Sequence, residues 1–404
     1  MKPRLLFLAH RIPYPPNRGD KIRSYHQLKL LAEYYDIYLA SCYETETELQ
    51  QGQPILEQVK SHCFGFVDKT TIALAKDTIK AIARGQSVSE QHFYHSELNH
   101  WIQDVIEKTK PDGVFVFCSS MMQYIPDNLK SSIPVVTDLI DLDSEKWRQM
   151  ANTKVRIKRW LFNREATTVA AAEQRCFEQS NTSFFVSENE RTLASRYHDL
   201  PTSCTVVENG VDTDFYESGL NMPCTAMVDR KYLVFTGTLD AQPNIKAIQW
   251  FMSACWPKLT DRIQDLHLAI VGRNPEPWIK ALSSNKVHVF ADVDDVRPYV
   301  AGAQVAIAPM QIGRGVQNKI LEAMAMAKPV VMTNEGARGI SMPEEQSQFI
   351  ADGSEEFVNQ VVELLKNQTK RDRIGQLNLE WVRTNYSWAK KLADLPSFFN
   401  RKPQ

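Results

Sequence analysis

Short apolar runs alternate along this chain with longer stretches whose apolar residues fall three and four apart, and the alternation begins almost at the first residue. RLLFLA at Arg4–Ala9 is closed by the loop HRIPYPPNRGD, after which IRSYHQLKLLAEY has helical spacing. The runs DIYLASCY, GVFVFCSS and PVVTDLID repeat the pattern, with helix-length mixtures between them. Such a strand–helix–strand series predicts a parallel sheet covered by helices.

The series ends near FFVSENE (184–190) and TVVENGVDTDFY (205–216), and ESGLNMPCTAMVDRK (217–231) reads as a linker. A second series then begins with YLVFTGTL and continues through LHLAIVG, VHVFADV, AQVAIAPM and KPVVMTN. The expected fold class is therefore α/β, with two Rossmann-like domains whose parallel sheets face a central cleft and hold ligands at their carboxyl ends. The boundaries are expected at 1–216 and 217–383. A length of 404 residues agrees with two domains of roughly 150 to 220 residues each. There is no internal repeat and no low-complexity tract.

Composition narrows the function. Hydrophobic content of 43% and charged content of 24% suit a globular enzyme, and a formal net charge of −1 argues against a nucleic-acid partner. The cysteines, at 42, 63, 118, 176, 204, 224 and 255, form no CxxC pair and have no His at metal-ligand spacing, so they read as reduced thiols of a cytoplasmic protein. MKPRLLFLAHR is too short in apolar residues for a signal-peptide core, and no run of about 18 apolar residues could span a membrane.

The densest chemistry lies in GRGVQNKILEAMAMAKPVV (313–331). AQVAIAPM reads as a strand, QIGRGVQ as a loop and NKILEAMAMA as a helix stopped at Lys328-Pro329. Gly313 and Gly315 let backbone approach a ligand, and the free amides at the helix start favour an anion, so a phosphate is the expected occupant. Lys319 and Glu322 are three apart and share a helix face, with Arg314 just ahead and Asn318 opening the helix. Two cations suit a diphosphate, and one carboxylate suits neighbouring ribose hydroxyls. The other reading is a surface helix with an ordinary ion pair.

VFTGTLDAQPN, IVGRNP, NKILEAMAMAKPVV and ENGVDTDFY together resemble the retaining family 4 glycosyltransferases of the GT-B fold, over essentially the whole chain. PYPPNRGDKIRSYHQLKLLA, FVFCSSMMQYI and TDLIDLDSEKW further resemble the sugar transferases of PEP-CTERM and exosortase exopolysaccharide loci. The resemblance implies a nucleotide diphosphate sugar as donor substrate, no metal or other cofactor, a glycan or lipid-linked acceptor, and no covalent protein nucleophile. It gives Glu322 the donor ribose. It makes 1–216 the acceptor side and 217–383 the nucleotide side, with the terminal helix NYSWAKKLADLPSFF (from about 384) returning to the first domain. The family's frequent first Glu of an E-x7-E pair falls on Arg314. Many members carry an Arg where Thr238 follows Gly237, and Arg314 with Lys319 is expected to supply that cation.

Further donor-side candidates are Gly272 and Arg273 in IVGRNP, and Gly19 and Asp20 in the first loop, where a plain turn is the alternative. His10 ends the first strand. Asp138, Asp141 and Asp143 in TDLIDLDSEKW follow another strand; Asp141 is ranked first to orient the acceptor hydroxyl, and the others serve equally as helix caps. Asp294 or Asp295 is read as a cap. Asp212-Thr213-Asp214 and Asp141-Leu142-Asp143 match the D-x-D pattern of metal-dependent transferases, but their GT-B surroundings need no metal there. KVRIKRWLFNR (154–164) is either a peripheral contact with an anionic inner membrane surface or a helix with one core face. The rival functions are a nucleotide-sugar epimerase and a non-catalytic nucleotide or polysaccharide binder. A nicotinamide dehydrogenase is disfavoured, since no G-x-G-x-x-G opens either half.

Overall fold

A computed structural model describes residues 2–152, 156–222, 224–312 and 316–400. The chain divides into two compact units, one built from residues up to Asn209 together with Lys391 onward, the other from Gly210–Lys390.

The sheet of the first unit holds β1 (Arg4–Ala9), β2 (Asp36–Tyr43), β3 (Ser61–Phe66), β4 (Gly113–Phe117), β5 (Val135–Ile140), β6 (Thr182–Phe185) and β7 (Cys204–Val206). Its order is β3-β2-β1-β4-β5-β6-β7, with every pairing parallel. Leu5 through Ala9 are completely buried, as expected for a central parallel strand covered on both faces. β3 (SHCFGF) is not among the expected strands; it is a half-exposed edge strand with no apolar run to announce it.

The second unit carries β8 (Lys231–Thr236), β9 (Leu266–Gly272), β10 (Val287–Ala291), β11 (Val305–Ala308) and β12 (Val330–Met332) in the order β10-β9-β8-β11-β12, again parallel. β9 to β12 fall within the runs read from the sequence, and β8 opens one residue ahead of its run, at Lys231. The strand order reverses beside β8, and ligands in such sheets bind outside the carboxyl ends at a reversal.

The stretch 217–231 is not a free linker. Met227 is 2% exposed within the core of the second unit, and a Cβ on Gly219 would lie 2.7 Å from Arg297 Cβ. The boundary accordingly lies at 209/210 rather than 216/217, and Val211 is held by Tyr386 and Ser387 at the far end of the same unit. The segment expected as one terminal helix is a short helix, Trp388–Lys391, and a separate 3-10 turn, Leu395–Phe399, with Pro396 at the start of the turn. The return to the first unit begins at Lys391 rather than near 384. There Phe399 packs on Tyr35 and Phe115, and Phe398 on Phe184.

Candidate functional site

In the second unit, the helix Asn318–Ala325 follows β11 and buries Ile320, Leu321 and Met324 against the core. That packing holds Lys319 and Glu322 half-buried at the carboxyl end of the sheet. The Lys319 ammonium donates to Asn244 Oδ1 and sits over the Phe235 ring, 4.3 Å from its centroid. Burial pulls its pKa down to about 7, with Glu322 opposing. Among the described residues no carboxylate lies within ion-pair distance of it. A desolvated cation without a counter-ion is costly to keep and suits an anionic ligand.

Two glycines make room for this arrangement. At Gly237 (φ +154°) a Cβ would lie 2.9 Å from Lys319 Nζ and 2.8 Å from Asn244 Nδ2. At Gly272 it would fall 1.7 Å from the Gly237 carbonyl oxygen, so the ends of β8 and β9 meet only because Gly272 has no side chain. The Thr238 carbonyl accepts from Asn244 Nδ2 at 2.8 Å, and the Arg273 carbonyl from Leu239 N at 2.7 Å; the Arg273 side chain is exposed.

Burial raises the pKa of Glu322, against a hydrogen bond donated by the Tyr216 hydroxyl and the field of Lys319. Tyr216 comes from the helix Thr213–Ser218, whose first turn is capped by Asp212 accepting from Phe215 N at 3.0 Å. Asp212 is thus a cap within ENGVDTDFY. Asp295 accepts from Arg297 N and from its guanidinium at the start of the helix Arg297–Gly302. Among the described residues no group of three or more His, Cys, Asp or Glu could hold a metal ion. Gly313, Arg314 and Gly315 lie outside the described residues. Local spacing does not single out Asn244, Phe235 or Tyr216, although VFTGTLDAQPN and ENGVDTDFY contain them.

The carboxyl edge of the first sheet carries a second cluster. His10 follows β1 and is 7% exposed, stacked on Phe117 and edge-on to Phe93. Its Nε2 lies 3.3 Å from Asp20, which also meets Arg11 at 3.2 Å and Arg18 at 3.3 Å. Burial opposes the ionised Asp20, yet His10, Arg18 and Arg11 hold its pKa well below the usual range. Burial outweighs Asp20 at His10 and lowers the imidazole pKa. Gly19 opens the following helix, and a Cβ there would meet nothing within 4 Å.

The three acidic candidates of TDLIDLDSEKW separate clearly. Asp138 is fully buried, accepting from Arg23 Nε at 2.7 Å and from Gln27, which removes it from any acceptor. Asp141 and Asp143 are partly exposed and share Lys146 at 3.1 and 2.9 Å. Cys118 (φ 75°) and Ile140 (φ 64°), at the ends of β4 and β5, adopt left-handed backbone that such residues rarely hold. In the basic helix, Lys158, Arg159 and Trp160 are exposed, Phe162 packs on Trp147, and Arg164 turns inward; Lys154 lies outside the described residues.

Residues 230–367 match the family described as glycosyl transferases group 1. Sucrose-phosphate synthase from Thermosynechococcus elongatus has a TM-score of 0.64 at 12% identity, covering 99% of this chain and 98% of that one. HepE from Anabaena, solved with UDP-glucose, has a TM-score of 0.61 at 14% identity over 98% of this chain and 99% of that one. The fold is GT-B. A Klebsiella pneumoniae protein described as an uncharacterized 44.6 kDa protein in the cps region is 22% identical over 415 residues, 97% of this chain and 98% of that protein. Together these likenesses put a segment matching the group 1 glycosyl transferases within a GT-B fold.

Proposed function

We propose that this protein transfers a sugar, with retention of configuration, from a nucleotide diphosphate sugar to a hydroxyl of a glycan or lipid-linked acceptor in exopolysaccharide synthesis on the cytoplasmic side. The observation that carries the donor reading is Lys319, a half-buried cation with no carboxylate in ion-pair distance among the described residues, one turn ahead of Glu322. The cps-region relative supports the polysaccharide setting.

Departure of the nucleotide diphosphate builds charge on its oxygens. Lys319, which Asn244 holds in place before the charge appears, lowers that barrier, and Arg314 and the amides near Gly315 and Asn318 are assigned to the same oxygens. Glu322, steadied by Tyr216, accepts from the ribose hydroxyls. Gly237, Thr238, Gly272 and Arg273 line the approach to the phosphates and base. The carboxylate of Asp20 is committed to His10, Arg11 and Arg18. Asp141 orients the acceptor hydroxyl.

A thermal-shift series with UDP, GDP, ADP, TDP and CMP, each with and without chelator, tests the donor site. One diphosphate at a hundred times its dissociation constant should stabilise by about 2.7 kcal/mol, unaffected by chelator and lost in Glu322→Ala. Stabilisation by none of them would overturn the reading. Product analysis with the matching sugar donor then separates glycoside formation from epimerisation.

Lys319 adds a pH signature. A bound diphosphate favours the ammonium and raises a pKa that stands near 7 in the free protein. At about pH 8 binding should therefore take up close to one proton, read by calorimetry in buffers of different ionisation enthalpy. Uptake near zero would remove Lys319 from the phosphates.

A further inference from the structure

The helix Thr71–Arg84 (TIALAKDTIKAIAR) lies on the first unit with its apolar side outward. Its Ala81 is buried and its Asp77 meets His92 at 3.5 Å, which fixes the inward face. At about 100° per residue, Ile72 and Ile79 fall on the opposite side with Ile82 at the margin of their stripe. They are 71%, 68% and 43% exposed. A helix on a globular protein normally buries that stripe.

The surroundings indicate what covers it. Lys76 and Lys80 run along one side of the stripe and are exposed. The helix Arg156–Gln179 is tied alongside by Arg164, whose Nη2 donates to the carbonyls of Ala81 at 2.9 Å and Gln86 at 3.0 Å. One turn before Arg164, Trp160 is 61% exposed, next to the exposed Lys158 and Arg159. Asp77 is the only acidic residue in 69–84 and 156–164, and it faces inward to His92.

We propose that this face docks on an anionic lipid bilayer. Ile72, Ile79 and Trp160 enter the boundary between headgroups and acyl chains, and Lys76, Lys80 and Lys158 meet lipid phosphates. A protein partner would bury the isoleucines equally well, but the uniformly basic flank and the exposed Trp favour a headgroup layer. The proposal goes beyond the donor-site reading, which stands without it.

The test is co-sedimentation of the full chain with vesicles of phosphatidylglycerol and phosphatidylcholine, against phosphatidylcholine alone. The wild type should prefer the anionic vesicles at least tenfold, since each basic residue near such a surface contributes on the order of fivefold. Ile72→Glu/Ile79→Glu should weaken binding by on the order of tenfold or more. Lys76→Glu/Lys80→Glu should abolish the preference for anionic lipid. Melting temperature and the nucleotide diphosphate shift should stay as in the wild type, so a failure here does not touch the donor site. Three results would overturn the proposal: no sedimentation of the wild type, equal binding by either variant, or a wild-type dimer in light scattering that Ile79→Glu dissociates.

Discussion

Lys319→Met is expected to lower turnover on the order of a hundred- to a thousandfold while leaving the melting temperature unchanged or raised. Methionine keeps the length of the side chain and its contact with Phe235, so packing is nearly conserved, and the charge is removed together with its hydrogen bond to Asn244 Oδ1. The sign on stability follows from the lowered pKa. The unfolded chain holds the proton up to the ordinary value of 10.5, the folded one only up to about 7. Between those pH values the unfolded state binds more protons, so this group's contribution to stability rises with pH and is least favourable below 7. A residue that costs stability in the free protein and is nonetheless held in place by Asn244, beside a glycine that clears its path, is spending that cost on a ligand. Steady-state turnover of the donor and thermal unfolding, measured on the same preparation, check both halves. Unchanged turnover would place the diphosphate elsewhere; a large loss of stability would make Lys319 a structural residue.

How much of this was legible in the sequence depends on how local each signal is. The strands of both sheets are continuous apolar runs because parallel strands are covered on both faces, and β8 to β12 follow that rule. β3 does not: His62 and Phe66 are exposed and only Gly65 is buried, so little of this strand is covered by apolar neighbours. Lys319 and Glu322 could be paired from their spacing alone, because one helix face decides it. Asn244, Phe235 and Tyr216 reach them only through the fold of the second unit, and no local pattern reports that convergence. The segment 217–231 looks like a linker because its small and polar residues hide a buried Met227. Asp138 and Asp141 are three residues apart and chemically identical; only Arg23 and Gln27, 115 and 111 residues away, separate their roles.

That separation yields a second large effect, on stability. Asp138→Ala should destabilise the first unit by about 3–5 kcal/mol, because it leaves the Arg23 guanidinium fully buried without its anion. Arg23 is already short of partners: Nη1 donates to Asn209 Oδ1 at 2.9 Å, and Nη2 is buried without a hydrogen-bond partner among the described residues. Gln27 would lose its acceptor at the same time. For a unit of this size the melting temperature should fall by on the order of 10 °C. The double variant Arg23→Met/Asp138→Leu should recover most of the loss, since desolvating an ion pair offsets much of its attraction, whereas removing one partner leaves the whole penalty. Chemical denaturation of the single and double variants measures the difference. If both fell equally, the network would matter for its hydrogen bonds to Gln27 and Asn209 rather than for its charge. If neither fell, the Arg23–Asp138 pair would not hold the strand end at β5, and the left-handed turn at Ile140, where Asp138 Oδ1 accepts from Ile140 N at 3.0 Å, would have to be stabilised by its neighbours instead.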